Sequence, residues 1–227
     1  MRLKILSEKV FENLKPYAKM ILAYGDQSAG KTFNSIQTLI ESFGELLIIK
    51  CEGRSLSETI KLTGVNPSMI TIYEYTKWDD LIDFLGNPTE EEQQVLANVK
   101  AVLIDNVSHL MNNELKWEIE DDTYRRVYKD SKNDGFVNEN RMGMDGYGAV
   151  ESKMSRFFKL VTTAFIRQGK PVVFTALLKS SPSYDRALVA GPNFIGKALP
   201  ENLKSFFDLI GRVVKRYNSE EDKQQLV

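Results

Sequence analysis

The stretch Gly25-Asp26-Gln27-Ser28-Ala29-Gly30-Lys31-Thr32 constrains this chain more than any other. It satisfies G-x-x-x-x-G-K-[ST] at every fixed position, and its flanks supply the context such a loop needs. Met20-Ile21-Leu22-Ala23-Tyr24 runs in as a short apolar strand. Downstream, Phe33, Ile36, Leu39, Ile40 and Phe43 are spaced for one buried helical face. A strand, a glycine-bearing loop and a helix N-terminus in that order make a cradle for phosphate. Glycine lets backbone N–H groups wrap an anion, and the helix end adds partial positive charge. Lys31 can then reach terminal phosphates, and the Thr32 hydroxyl can ligate Mg²⁺. The expected site for a nucleoside triphosphate runs from Gly25 to Phe33.

The rest of the composition narrows the partners. Hydrophobic residues at 42% and charged residues at 27% of the 227 are ordinary for a globular chain with a real core. A net charge of −1 offers no global attraction to nucleic acid, so any such binding needs a local patch. The lone cysteine, Cys51, excludes an intramolecular disulfide, and the lone histidine, His109, makes a protein-only zinc site a poor expectation. No apolar run approaches membrane-spanning length, and residues 1–9 break their apolar character with charge, unlike a signal peptide. The expected compartment is the cytoplasm, with no membrane partner.

Strands and helices alternate along the chain. Leu46–Lys50 reads as a second apolar strand, followed by Cys51-Glu52-Gly53-Arg54 and a helix capped by Ser55 or Ser57. Met69–Tyr75 reads as a third strand and Trp78–Leu85 as a helix. Thr89 is an N-cap, with Glu90, Glu91 and Glu92 favourably placed in the first turn. Lys100-Ala101-Val102-Leu103-Ile104-Asp105 is a fourth strand ending in a carboxylate. That pattern looks like a Walker B, whose acid helps hold Mg²⁺ beside the phosphate loop; a strand-end turn residue is the alternative. From Met111 to Gly148 mixed charges and glycines suggest a solvated insertion, densest over 118–147, with a nucleic-acid-contacting loop as the alternative. Ala149–Gln168 is an amphipathic helix and Val172–Leu177 a fifth strand. Lys179–Gly196 reads as a loop, Leu199–Phe207 as a helix, Leu209–Tyr217 as a last strand, and residues 218–227 as a charged tail. Together these predict an α/β fold: one domain over 1–217, a mostly parallel, doubly wound sheet with helices on both faces.

The segment Leu47-Ile48-Ile49-Lys50-Cys51-Glu52-Gly53-Arg54 resembles the RecA superfamily of P-loop ATPases, and so does Asp105-Asn106-Val107-Ser108. In that superfamily the catalytic glutamate follows the strand after the P-loop helix. Gly146-Tyr147-Gly148 opening a long helix, Gly191-Pro192-Asn193-Phe194-Ile195-Gly196-Lys197, and Asp208-Leu209-Ile210-Gly211-Arg212 extend the likeness. They resemble the phage-type AAA-domain ATPases, some of which act in recombination as single-strand annealing ATPases. The resemblance implies ATP and Mg²⁺, with Lys31, Glu52 and Asp105 catalytic and Thr32 and Asp105 on the metal. It implies single-stranded DNA as partner, together with a single-strand-binding protein, and a head-to-tail ring or filament, in the host cytoplasm. Candidate DNA contacts are Lys179, Tyr184, Arg186, Phe194 and Lys197, with Tyr184 and Phe194 offered to bases and the cations to phosphates. Arg212 and Lys215 are candidates for reaching a neighbour's γ-phosphate, against plain surface charges. The chain departs from the family at Ala176-Leu177-Leu178, where a polar sensor is common; Thr175 is the polar residue nearby.

Two other functions compete. A small-molecule or nucleotide kinase would need paired arginines on a lid, and Arg125-Arg126 lies among acids. A nucleotide-gated assembly protein with little turnover would suit the absent sensor.

Overall fold

In this computed structural model, which describes residues 18–119, 144–182, 188–195, 198–218 and 223–226, the apolar runs become the strands of a seven-stranded sheet. The strands are β1 (Met20–Gly25), β2 (Leu46–Lys50), β3 (Ile70–Glu74), β4 (Ala101–Asp105), β5 (Val172–Pro182), β6 (Leu188–Pro192) and β7 (Leu209–Val213). Their order is β3-β2-β4-β5-β1-β7, with β6 beside the far end of β5. Every pairing is parallel except the β5–β6 hairpin. The continuous hydrophobicity of β2 and β4 follows from this, since a parallel strand covered on both faces has no solvent side. Leu46, Leu47, Ile48 and Ile49 are all fully buried.

Period-two alternation sorts each strand between two cores. Ile48, Leu103 and Val173 face α1 (Lys31–Phe43) and α2 (Ser57–Thr63) through Ile36, Leu39, Ile40 and Ile60. Leu22, Leu47, Ile49, Ile104 and Phe174 face the larger core on the other side. That core is built by α3 (Trp78–Gly86), α4 (Glu90–Asn98), the helical segment α5 (107–119) and α6 (Met144–Ala164). Phe174 of β5 meets Phe157 of α6 edge-on at 6.2 Å between ring centroids and Phe207 at 5.2 Å, with interplanar angles of 89° and 88°. Such edge-to-face contacts add to the burial that dominates core energetics. The Thr89 hydroxyl accepts from Glu92 N at 3.3 Å while Glu92 Oε2 accepts from Thr89 N at 2.8 Å, closing a capping box at α4.

The structure departs from the expected elements chiefly in three places, and α6 also begins at Met144, inside the insertion expected over 118–147. The chain after Val107 is helical through residue 119 instead of entering a solvated insertion at Met111. Leu110, Met111 and Leu115 have no exposure and Ile119 has 8%. Leu110–Leu115 is π-helical, yet Met111, Leu115 and Ile119 recur every four residues, a helical spacing that the mixed charges from Glu118 onward obscured. The charged residues of 120–143, Arg125 and Arg126 included, lie outside the described residues. Second, the loop expected at Lys179–Gly196 is partly the β5–β6 hairpin, with Lys179 opposite Gly191 and Leu178 opposite Pro192. Lys179-Ser180-Ser181-Pro182 lacks an apolar alternation, and cross-strand pairing holds it instead. Third, the last strand divides. β7 stops at Val213, and β8 (Lys215–Asn218) pairs antiparallel with β9 (Lys223–Leu226), where a charged tail was expected from residue 218.

Among the described residues no helix is long and apolar enough to cross a membrane.

Candidate nucleotide site

The C-terminal edge of the parallel sheet gathers the chemistry. β1 ends at Gly25 beside β7, and a Cβ on Gly25 would sit 2.4 Å from the carbonyl oxygen of Val213. The next turn carries two left-handed residues, Ser28 at φ 59° and Gly30 at φ 86°. Glycine adopts that conformation without cost; a side chain costs on the order of 1 kcal/mol there. Such turns point successive N–H groups into one concavity, the form of an anion nest. Gly30 is the N-cap of α1 and provides no side-chain hydrogen bond, so the first-turn N–H groups keep their capacity for an external acceptor.

Lys31 is 8% exposed, and its Nζ donates to the carbonyls of Gly25 at 3.0 Å and Asp26 at 2.7 Å. Burial holds its pKa below the ordinary lysine range, opposed by the negative charges of Asp105, Glu52 and Asp26. Thr32 Oγ1 donates to both carboxylate oxygens of Asp105, at 3.0 and 3.1 Å. Thr175, with no exposure, also donates to Asp105 Oδ1. Burial pushes the Asp105 carboxyl above the usual carboxylate range, against the downward pull of Thr175, Thr32 and Lys31. Both charged forms are thus held where water cannot stabilise them. A phosphate against Lys31 and a divalent cation against Thr32 and Asp105 would each add counter-charge to a group that burial penalises, so these residues fit a magnesium–triphosphate.

Glu52 follows β2, whose Lys50 lies in register with Asp105. That register brings the residues just beyond both strands together. The Nδ2 of Asn106 donates to Glu52 Oε1, while Asn106 Oδ1 accepts from the backbone N–H of His109 at 3.0 Å and caps α5. The Asp105–Asn106 peptide is cis. Ser108 Oγ accepts from Leu177 N at 3.0 Å, tying α5 to the middle of β5. A cleft of about 510 Å³ is lined by Gln27, Ser28, Lys31, Thr32, Glu52 and Asp105, among others.

The expected site residues separate by where the fold places them. Lys31, Thr32, Glu52, Asp105, Gln27 and Ser28 share one cleft. Gly25, Asp26 and Gly30 contribute through the backbone; Ala29 is 1% exposed, and Phe33 lies outside the cleft lining. Phe194 is a correction: at 1% exposure it packs into the larger core, because the β5–β6 hairpin folds its segment inward, and it offers no ring to a base. Tyr184, Arg186 and Lys197 lie outside the described residues, whereas Lys179 is exposed on β5. Arg212 is exposed on β7 and Lys215 half-buried on β8, and neither lines the cleft.

Sequence reasoning missed Asn106, Arg54 and the use of Thr175. Asn immediately before a helix is an N-cap signal, and it was available at Asn106 once α5 was recognised. Thr175 supports Asp105 from below, and Leu177 is the β5 residue that reaches the cleft. Arg54 lines the same cleft, although the Leu47–Arg54 segment that ends on it gave it no role.

A phosphate loop at the edge of a parallel sheet, a strand-end acid against its threonine and a glutamate after the second strand define a RecA-like P-loop fold. The family model described as "AAA domain" matches residues 18–225, and the chain belongs to that family. Among solved structures the chain is similar to the RadB recombinase at a TM-score of 0.55 and 16% identity, over 88% of this chain and 76% of that one. No curated protein matches the sequence.

Proposed function

We propose that the chain is a Mg²⁺-dependent ATPase that works on DNA, single-stranded by preference, in phage recombination or replication. The observation that carries the reading is the convergence of Lys31, the Thr32–Asp105 pair and an Asn106-held Glu52 in one cleft. Lys31 carries the charge of the terminal phosphates. Thr32 and Asp105 would hold Mg²⁺, which neutralises phosphate charge as it develops. Glu52 orients the attacking water and takes its proton as the new oxygen–phosphorus bond forms and the bond to the diphosphate leaving group breaks. The hydrogen bond from Asn106 leaves the second carboxylate oxygen of Glu52 for that water.

DNA enters through the likeness to a recombinase and through Lys179, exposed on the hairpin that Ser108 and Asn112 tie to the site. Asn112 Nδ2 donates to Asn193 O at 3.5 Å, so α5 runs from the Glu52 partner to the base of that hairpin. A head-to-tail assembly of copies is part of the same proposal, with Arg212 and Lys215 as its candidate cations. The deciding measurement is ATP turnover with and without single-stranded DNA. Stimulated turnover supports the reading; no turnover together with no DNA binding in the presence of an ATP analogue removes it.

One observation favours a nucleotide-gated assembly protein with little turnover. Thr175 is committed to Asp105, which leaves β5 without a polar side chain in the cleft. Tight ATP binding with negligible hydrolysis, unaffected by DNA, would select that alternative.

A further inference from the structure

Arg54 has no role in the site as described above, yet it stands inside it. It lies two residues beyond Glu52 on the same loop and lines the cleft that Lys31, Thr32 and Ser28 line. It is exposed, and among the described residues no carboxylate is within ion-pair distance of it. Its partner is the Gln27 side chain, on the phosphate loop itself. A guanidinium offers only donors, so the Gln27 atom facing it is the amide oxygen, which accepts from Nη1 at 2.9 Å and Nη2 at 3.2 Å. Two donors converge on one neutral acceptor, and the remaining N–H groups have no protein partner among the described residues. A Cβ on Gly53, between Glu52 and Arg54, would meet nothing within 4 Å.

This is an incomplete contact for such a group. Arginine's planar fork matches the two oxygens of a phosphate, and a charged acceptor binds it about twice as strongly as a neutral one. An amide on the phosphate loop holds the guanidinium over the cleft without competing against a stronger acceptor. We propose that Arg54 is a catalytic residue supplied by this chain's own subunit. Its guanidinium contacts Gln27 and would reach the terminal phosphate of a bound triphosphate, stabilising the charge that grows there during hydrolysis. Arg54 acts through its charge and its paired N–H donors and forms no bond to phosphorus. A diphosphate lacks the group it reaches, so Arg54 makes the site distinguish triphosphate from diphosphate without help from a neighbouring copy. The inference rests on the ATPase reading above and deepens it.

The test compares ATP and ADP affinity, read with fluorescent analogues of both, in the full chain and in Arg54→Ala, Arg54→Lys, Gln27→Ala and Lys31→Ala. Arg54→Ala should weaken triphosphate binding at least tenfold and diphosphate binding less than threefold. Its single-turnover hydrolysis, measured at concentrations where sedimentation shows monomer, should fall at least a hundredfold. Arg54→Lys should recover only part of the affinity, since an ammonium keeps the charge and loses the fork. Gln27→Ala, at a position of the phosphate loop itself, should change ATP and ADP affinity together and keep their ratio within threefold, because the Arg54 guanidinium remains. Equal losses for ATP and ADP in Arg54→Ala, or no loss in either, overturns the proposal. So does a Gln27→Ala protein that loses discrimination as Arg54→Ala does, which would make the pair a structural clasp on the loop. If the unmodified chain binds neither nucleotide, the ATPase reading itself fails. If it binds both, Lys31→Ala binds neither and Arg54→Ala discriminates normally, that reading stands and this one falls.

Discussion

Gly25 opens the phosphate loop, and its need for glycine has a cause outside the loop. Its φ is not in the left-handed region, so backbone freedom is not what the position demands. The demand comes from β7, whose Val213 carbonyl oxygen would meet a Cβ at 2.4 Å, with the carbonyl carbon at 3.3 Å. Ordinary contact starts at 3.4 Å, a shortfall of about 1 Å against backbone, which cannot swing aside as a side-chain tip can. Gly25→Ala must therefore push β7 from β1 or shift the end of β1. Overpacking of this kind costs about 1–3 kcal/mol. For a chain of this size each kcal/mol lowers the melting midpoint by roughly 2–4 °C. β7 closes one end of the main strand order, with β1 as its partner, so it yields more readily than a central strand would. Urea denaturation gives the stability loss, and amide hydrogen exchange shows where it falls. Protection should drop in β7 near Gly211–Val213 while β2 and β4 keep theirs. Because the end of β1 sets where the loop begins, ATP affinity should fall as well. A Gly25→Ala protein with unchanged midpoint and unchanged β7 protection refutes the packing explanation.

Other substitutions test separate links. Lys31→Ala should abolish measurable ATP binding and turnover while circular dichroism stays native; turnover in the folded variant removes the phosphate role. Glu52→Gln should keep Mg²⁺-ATP affinity within a few-fold and lower turnover by at least about a hundredfold, because the amide keeps the shape and loses the basicity. Leu115→Ala should destabilise by about 2–5 kcal/mol in urea, as expected for a fully buried leucine, whereas a solvated insertion would tolerate it within about 0.5 kcal/mol. Binding to single-stranded DNA should be tighter with a non-hydrolysable ATP analogue, and Lys179→Ala with Arg186→Ala should flatten its log–log salt slope; an unchanged slope excludes that hairpin as the contact.

Local chemistry was legible in the sequence wherever neighbours in the chain are also neighbours in space. The phosphate loop is such a case: strand, glycines, Lys31 and Thr32 act within one continuous segment, so their spacing carries the geometry. The Thr89–Glu92 cap is another, closed inside a single helical turn. Continuous apolar runs likewise revealed β2 and β4, because burial on both faces leaves a strand no polar positions. Tertiary structure decided what depends on register and on contacts between distant segments. The pairing of Lys50 with Asp105 sets Glu52 against Asn106, which lie 54 residues apart. Thr175 reaches Asp105 across 70 residues because β4 and β5 are adjacent, a fact no local pattern contains. Met111, Leu115 and Ile119 recur at helical spacing, but only the packing of α5 into the larger core shows that stripe buried where a solvated segment was expected. Phe194 faces the core because the β5–β6 hairpin directs it there, though an aromatic in a glycine-flanked stretch reads as a surface platform. Residue type and spacing therefore specify which chemistry the chain carries. Which groups stand within a hydrogen bond of one another follows from how the strands are ordered and aligned, because that order brings residues together whatever their separation along the chain.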